Sequence, residues 1–132
     1  MIAADIFKKL RLNSTQKILI VNAPGEYLDF LGALSYDTSF DPKNEGVYDL
    51  VQLFATTQTE LESLVMENAK AGKYDCLFWA CYPKGGGKIK SDIKRETVWK
   101  AFQLVNMHPV TQVSIDETWS ALRARPDEND KK

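Results

Sequence analysis

Two runs of apolar residues, Ile18–Val21 and Cys76–Tyr82, constrain this chain more than any other feature, because no polar residue alternates with the apolar ones. A strand with one face in water alternates in character. A run without alternation has protein on both faces, the condition of a strand inside a parallel sheet. Parallel neighbours need long crossover connections, usually helical, so the intervening segments are expected to carry helix periodicity. They do. Tyr27, Phe30, Leu31 and Leu34 form one stripe after Pro24, and Leu61, Leu64, Val65 and Ala69 a second before Gly72 as a C-terminal cap. Val98, Ala101, Phe102 and Val105 form a third. Ile2, Ile6 and Leu10 predict a short amphipathic helix ahead of the first strand.

The strands are expected at 17–24, 47–57 and 74–83, with 35–46 and 84–92 as loops. Thr57 with Glu60, or Thr59 with Glu62, has capping-box spacing, and Ser91 or Asp92 would cap the third crossover helix. Asn106 to Pro109 should break that helix. Two short runs, 110–116 and 119–125, are separated by only Glu117 and Thr118, which predicts an antiparallel hairpin. The expected fold class is α/β. It is a single three-layer domain over 1–125, with a mostly parallel sheet of four to five strands, helices on both faces and a C-terminal antiparallel hairpin. Residues 126–132 read as a flexible charged tail.

At 132 residues the chain has the length of one domain. Seventeen basic against eighteen acidic side chains leave a net charge of −1, so no global field recruits nucleic acid or a membrane surface. Lysines interrupt the first apolar stretch, so a secretory signal is not expected, and no run nears the roughly 20 residues of a membrane span. A cytoplasmic protein is the expectation. Cys76 and Cys81 lie five apart on one strand, hence on opposite faces and about 16 Å apart, too far to form a disulfide.

In an open α/β sheet, ligands bind beyond the carboxyl ends of the strands. That rule selects Asn22–Gly25, Thr56–Gln58, Tyr82–Lys88 and Asp116–Trp119. Gly85, Gly86 and Gly87 between Lys84 and Lys88 offer free amides and cations to an anion, although the spacing is not that of a P-loop. Asn22 and Gly25 stand where a dinucleotide fold carries its glycine-rich turn, and Asp116 places a carboxylate beside Trp119. These nine residues (Asn22, Gly25, Lys84, Gly85, Gly86, Gly87, Lys88, Asp116 and Trp119) form the candidate ligand site. Trp79 and Trp99 are assigned to the core. Neither a catalytic set, a metal cluster nor a cofactor motif is legible, and His108 is a lone loop histidine.

The blocks VNAPGEY (21–27), FWACYPKGGGKIKSDI (78–93) and VSIDETWSALRARP (113–126) resemble a family of small bacterial proteins of unknown function. Its pattern is NAP, W-x-x-x-PK and DETWS-x-L. The resemblance implies a shortened relative of nucleotide-binding and methyltransferase-like folds, with strand order 2-1-3-5-4. Against true methyltransferases, the first loop has only Gly25, and Thr56 and Thr57 stand where an acidic residue would end the second strand. S-adenosylmethionine is therefore not expected. The reading as a whole is a module that binds a small anionic ligand at the carboxyl edge, as monomer or homodimer. The alternatives are a protein-interaction module, using the glycine loop and residues 36–46, and a degenerate methyltransferase-like enzyme.

Overall fold

The computed structural model describes residues 3–32 and 34–127. Helix α1 (Ala3–Leu10) precedes β1 (Ile18–Val21), and α2 (Gly25–Leu31) follows it. A 3-10 turn at Pro42–Asn44 leads into β2 (Tyr48–Phe54), α3 (Gln58–Asn68), β3 (Gly72–Pro83), α4 (Arg95–Gln103), β4 (Met107–Ser114) and β5 (Trp119–Pro126). The five strands form one sheet in the order β1-β2-β3-β5-β4. β1, β2 and β3 are parallel, while β5 runs antiparallel to both β3 and β4.

The unbroken apolar runs are explained by two separate cores. Leu19, Val51, Leu53, Phe78 and Ala80 point into a cluster with Leu61 and Val65 of α3 and Val98, Ala101 and Phe102 of α4. Ile18, Ile20, Leu50, Phe54, Trp79 and Cys81 point into another, with Ile6 and Leu10 of α1 and Tyr27 and Leu31 of α2. Cys76 packs at the edge of the first cluster and Cys81 lies inside the second. The Trp79 indole N–H donates to the Leu10 carbonyl (3.1 Å), which satisfies a carbonyl at the end of α1 and pins that helix to the sheet.

The strand order corrects the expected 2-1-3-5-4. Among the described residues the outer side of β1 is paired by Asp37 alone, whose amide donates to Ile18 O (2.9 Å) and whose carbonyl accepts from Ile20 N (2.8 Å). The chain thus leaves β1 outward through α2, touches the sheet edge at one residue, then returns to lay β2 on the inner side. Right-handed crossovers in opposite directions fall on opposite faces, which is why α2 and α3 belong to different cores. The reversal makes the β1/β2 boundary the topological switch point of the sheet.

Other boundaries also differ from expectation. α2 stops at Leu31, short of Leu34, and Gly72 opens β3 instead of capping α3, whose C-cap is Ala69. α4 begins at Arg95 behind Lys94; the Ser91 hydroxyl accepts from Ile93 N, and Asp92 turns elsewhere. Trp99, assigned to the core, is 50% exposed, because it lies some 100° around the helix from Val98, outside the buried stripe. β4 starts at Met107 and includes Pro109, which an edge strand tolerates. Pro126 ends β5, and Asp127 is held by its amide on Asn106 O (2.9 Å) and its carboxylate on His108 Nδ1 (2.8 Å). Residues 128–132 of the expected tail lie outside the described residues. No described helix is long and apolar enough to cross a membrane.

Candidate functional site

The carboxyl ends of β1, β2 and β3 deliver three of the four expected segments to one edge of the sheet, and the β4–β5 turn joins them. Asn22 follows β1 directly and adopts a left-handed backbone (φ 64°), a conformation asparagine tolerates better than most residues. Its side-chain amide donates to Phe54 O (2.8 Å), so a side chain continues the β1–β2 ladder where the backbone turns away. Phe54 centres a row of rings, 5.0 Å from Tyr27 and 5.1 Å from Trp119. Beneath it the Tyr27 hydroxyl donates to Gln52 Oε1 (3.0 Å), and Gln52 Nε2 donates to the Cys81 thiol (3.4 Å). Burial pushes the Tyr27 hydroxyl well above its ordinary range and the Cys81 thiol up to about 12, so both stay neutral.

The start of α3 is closed by the chain's own side chains. Thr57 Oγ1 accepts from Glu60 N (3.2 Å), and the Glu60 carboxylate accepts from Thr56 N (2.9 Å). Asp92, expected to cap α4, instead accepts from Gln58 N (2.7 Å). The amides of Gln58 and Glu60 at this helix end, and of Thr56 just ahead of it, are therefore taken.

The glycine loop folds as a turn in which Gly87 N donates to Lys84 O (3.2 Å) and Gly86 takes the left-handed conformation (φ 76°). Lys84 is held at both ends: its amide donates to Thr118 O (2.8 Å) and its ammonium to Ser114 Oγ (2.6 Å). Gly85, Gly86 and Gly87 line a shallow depression of about 380 Å³ with Lys90 and Ser91, and Lys88 projects into solvent. Asp116 accepts from the amides of both Thr118 and Trp119 (2.8 Å each), the bonding of an Asx turn. Trp119 is buried against Phe54 at 75° and lies in the core.

The predicted residues thus form two groups. Lys84, the glycines and Asp116 share one corner. Asn22 and Gly25 sit two strand spacings away and three residues further back, which places Asn22 about 14 Å from Lys84. The sequence did not reveal Gln52 and Phe54 as parts of this edge. Gln52 is the one with a signal, as the single polar residue inside Leu50–Phe54. No group of three or more His, Cys, Asp or Glu among the described residues has metal-binding geometry.

No family model matches the chain, and no curated protein matches it in sequence. Solved structures do match in three dimensions. A SAM dependent methyltransferase from Aquifex aeolicus gives a TM-score of 0.60 at 12% identity, over 92% of this chain and 88% of that one. The 16S rRNA (adenine(1408)-N(1))-methyltransferase from Catenulisporales acidiphilia gives 0.60 at 10%, over 99% and 94%. The cyclase SpnF gives 0.59 at 10%, over 95% and 79%. The fold is the methyltransferase-like α/β fold. This overturns the expectation of a module for a small anionic ligand and favours the methyltransferase-like alternative. At the edge, Lys84, Asp92 and Asp116 are engaged within the chain and Asn22 stands apart from them.

Proposed function

We propose that this chain is a methyltransferase-type domain, in degenerate form, that takes an S-adenosylmethionine-class ligand at the switch point between β1 and β2. The observation that carries the reading is the reversal of chain direction at that boundary. The chain runs out to Asp37 on one side of β1 and back to β2 on the other, which leaves the turn after β1 at the head of the crevice.

The residues present fit such a ligand at the turn. Asn22 supplies the left-handed backbone that glycine supplies elsewhere, and the space in front of Gly25 is open, with no atom within 4 Å of where a Cβ would stand. Asn22–Gly25 and the Ala55–Thr56 backbone are the segments that would hold it. When bound, the ligand brings a methyl group on a sulfonium, ready for displacement by a nucleophile. The chain's own part is positioning, because the Asp92 and Asp116 carboxylates are each committed to backbone amides. The outer strand is reduced to one residue, so the crevice has a short outer wall and affinity is expected to be modest.

Isothermal titration with S-adenosylmethionine and S-adenosylhomocysteine tests this. One-site saturable binding is expected, with at least tenfold weaker binding in Gly25→Phe, whose ring would enter the open space without disturbing the core. Wild-type protein that binds neither compound contradicts the function. Equal binding by Gly25→Phe contradicts the location.

A further inference from the structure

Beneath the crevice lies a buried polar chain that packing alone does not require. Gln52 is fully buried in β2, with Leu50 and Val51 before it and Leu53 and Phe54 after it. Its Oε1 accepts from the Tyr27 hydroxyl (3.0 Å), and its Nε2 donates to the Cys81 sulfur (3.4 Å). Apolar side chains of the same shape at both positions would fold about as well, because a buried hydrogen bond gains little over the water bonds it replaces. What the polar pair adds is direction. The Tyr27 hydroxyl has one acceptor to reach, so its ring is seated at one height on β2.

That height bears on the turn after β1. Pro24, the N-cap of α2, makes no side-chain cap, whereas Thr57 and Glu60 close the start of α3. The Asn22–Gly25 turn is instead fastened to β2 on both sides. Ahead of it, Asn22 Nδ2 donates to Phe54 O (2.8 Å). Behind it, Tyr27 reaches Gln52, two residues back along the same strand, with its ring 5.0 Å from that of Phe54. Gly25, with open space in front of it, lies between the two fastenings. We infer that Gln52 is a positioning residue: through the Tyr27 hydroxyl it fixes the start of α2, and with it the shape of the Asn22–Gly25 turn that a ligand in the crevice meets. The inference rests on the reading of that crevice as a ligand site. Gln52, being wholly buried, acts only through Tyr27.

The test sets affinity against stability in the full chain. Tyr27→Phe combined with Gln52→Met replaces both partners by apolar groups of nearly the same shape, so the protein should unfold at the wild-type urea midpoint. Its affinity for S-adenosylhomocysteine in isothermal titration should fall about tenfold, the weight of one hydrogen bond's restraint on the turn. Gln52→Glu keeps an oxygen for the Tyr27 hydroxyl and should bind within about threefold of wild type. Amide relaxation of the free protein reports on the turn without any ligand. The Ala23 and Gly25 amides should lose order in the double variant and keep it in Gln52→Glu. Unchanged affinity in the double variant, or an equal loss in Gln52→Glu, overturns the inference. A lowered urea midpoint with the turn amides still ordered marks a packing role and overturns it too. Should the double variant not fold, Tyr27→Phe, which leaves the ring beside Phe54, decides by the same readings. Wild-type protein that binds no S-adenosylhomocysteine removes the reading of the crevice; the Ala23 and Gly25 amides then decide the positioning role, upheld by lost order and overturned by retained order.

Discussion

The two edges of this sheet solve the same problem in different chemistry. At the carboxyl edge, side chains are spent on backbone: Asn22 on Phe54 O, Asp92 on Gln58 N, Asp116 on the amides of Thr118 and Trp119. At the amino edge, side chains are spent chiefly on each other, in the pairs Lys73–Asp49 and Asp75–Arg125, with Asp49 also accepting from Lys17 N (2.8 Å). Backbone groups removed from water must find a partner, so losing a carboxylate that serves two amides leaves both unsatisfied. Half-exposed ion pairs can trade one another for water at little cost. The carboxyl edge is therefore expected to be rigid and sensitive to mutation, and the amino edge tolerant.

Four changes test that contrast, in falling order of effect. Phe54→Ala removes the ring that joins Tyr27 to Trp119 and should cost about 3–5 kcal/mol in urea unfolding. Asp116→Ala should cost about 1–3 kcal/mol, since two turn amides lose their acceptor. A value near zero would mean the turn is not held by that carboxylate. Asp75→Asn keeps a residue that tolerates the left-handed backbone and should cost at most about 1 kcal/mol. A larger loss there than for Asp116→Ala inverts the comparison. Lys84→Ala, at an exposed turn, should change stability by no more than about 0.5 kcal/mol.

The carboxylates and the buried thiols should also separate by pH. The Lys73 ammonium holds Asp49, and the Arg125 guanidinium holds Asp75, below the ordinary carboxylate range. Their contribution is present above the unfolded value near 4 and is lost as pH falls through the depressed folded values. Cys76 and Cys81 are raised to about 12 by burial, so theirs is present below the unfolded thiol value and is lost as pH rises from about 9 towards 12. Thermal melts across pH should show Asp75→Asn flattening the acid limb alone and Cys81→Ala softening the alkaline limb alone.

Much of the fold was legible because it rests on local pattern. The two apolar runs announced strands buried on both faces, and the offset of five between Cys76 and Cys81 assigned them to different cores. Of the two capping-box spacings, Thr57–Glu60 and Thr59–Glu62, the structure uses the first. What was hidden depended on distant partners. A single-residue bridge at Asp37 has no periodicity to detect, so strand order could not be read. Asp92 serves a helix that begins 34 residues upstream of it, where no local rule looks. Trp99 is apolar yet half-exposed, because its helical angle points it outward, and apolar character alone does not tell the two faces apart. At the site, Asn22 stood out as a residue, but its left-handed backbone appears only in three dimensions.

The central claim is that the β1/β2 switch point receives an S-adenosylmethionine-class ligand. Amide NMR of the full chain during titration with S-adenosylhomocysteine tests it most directly. Saturable shifts centred on Asn22, Gly25, Ala55 and Thr56, with the amino edge unmoved, are predicted. An unchanged spectrum at millimolar ligand, or shifts confined to the glycine loop or the amino edge, would contradict the claim.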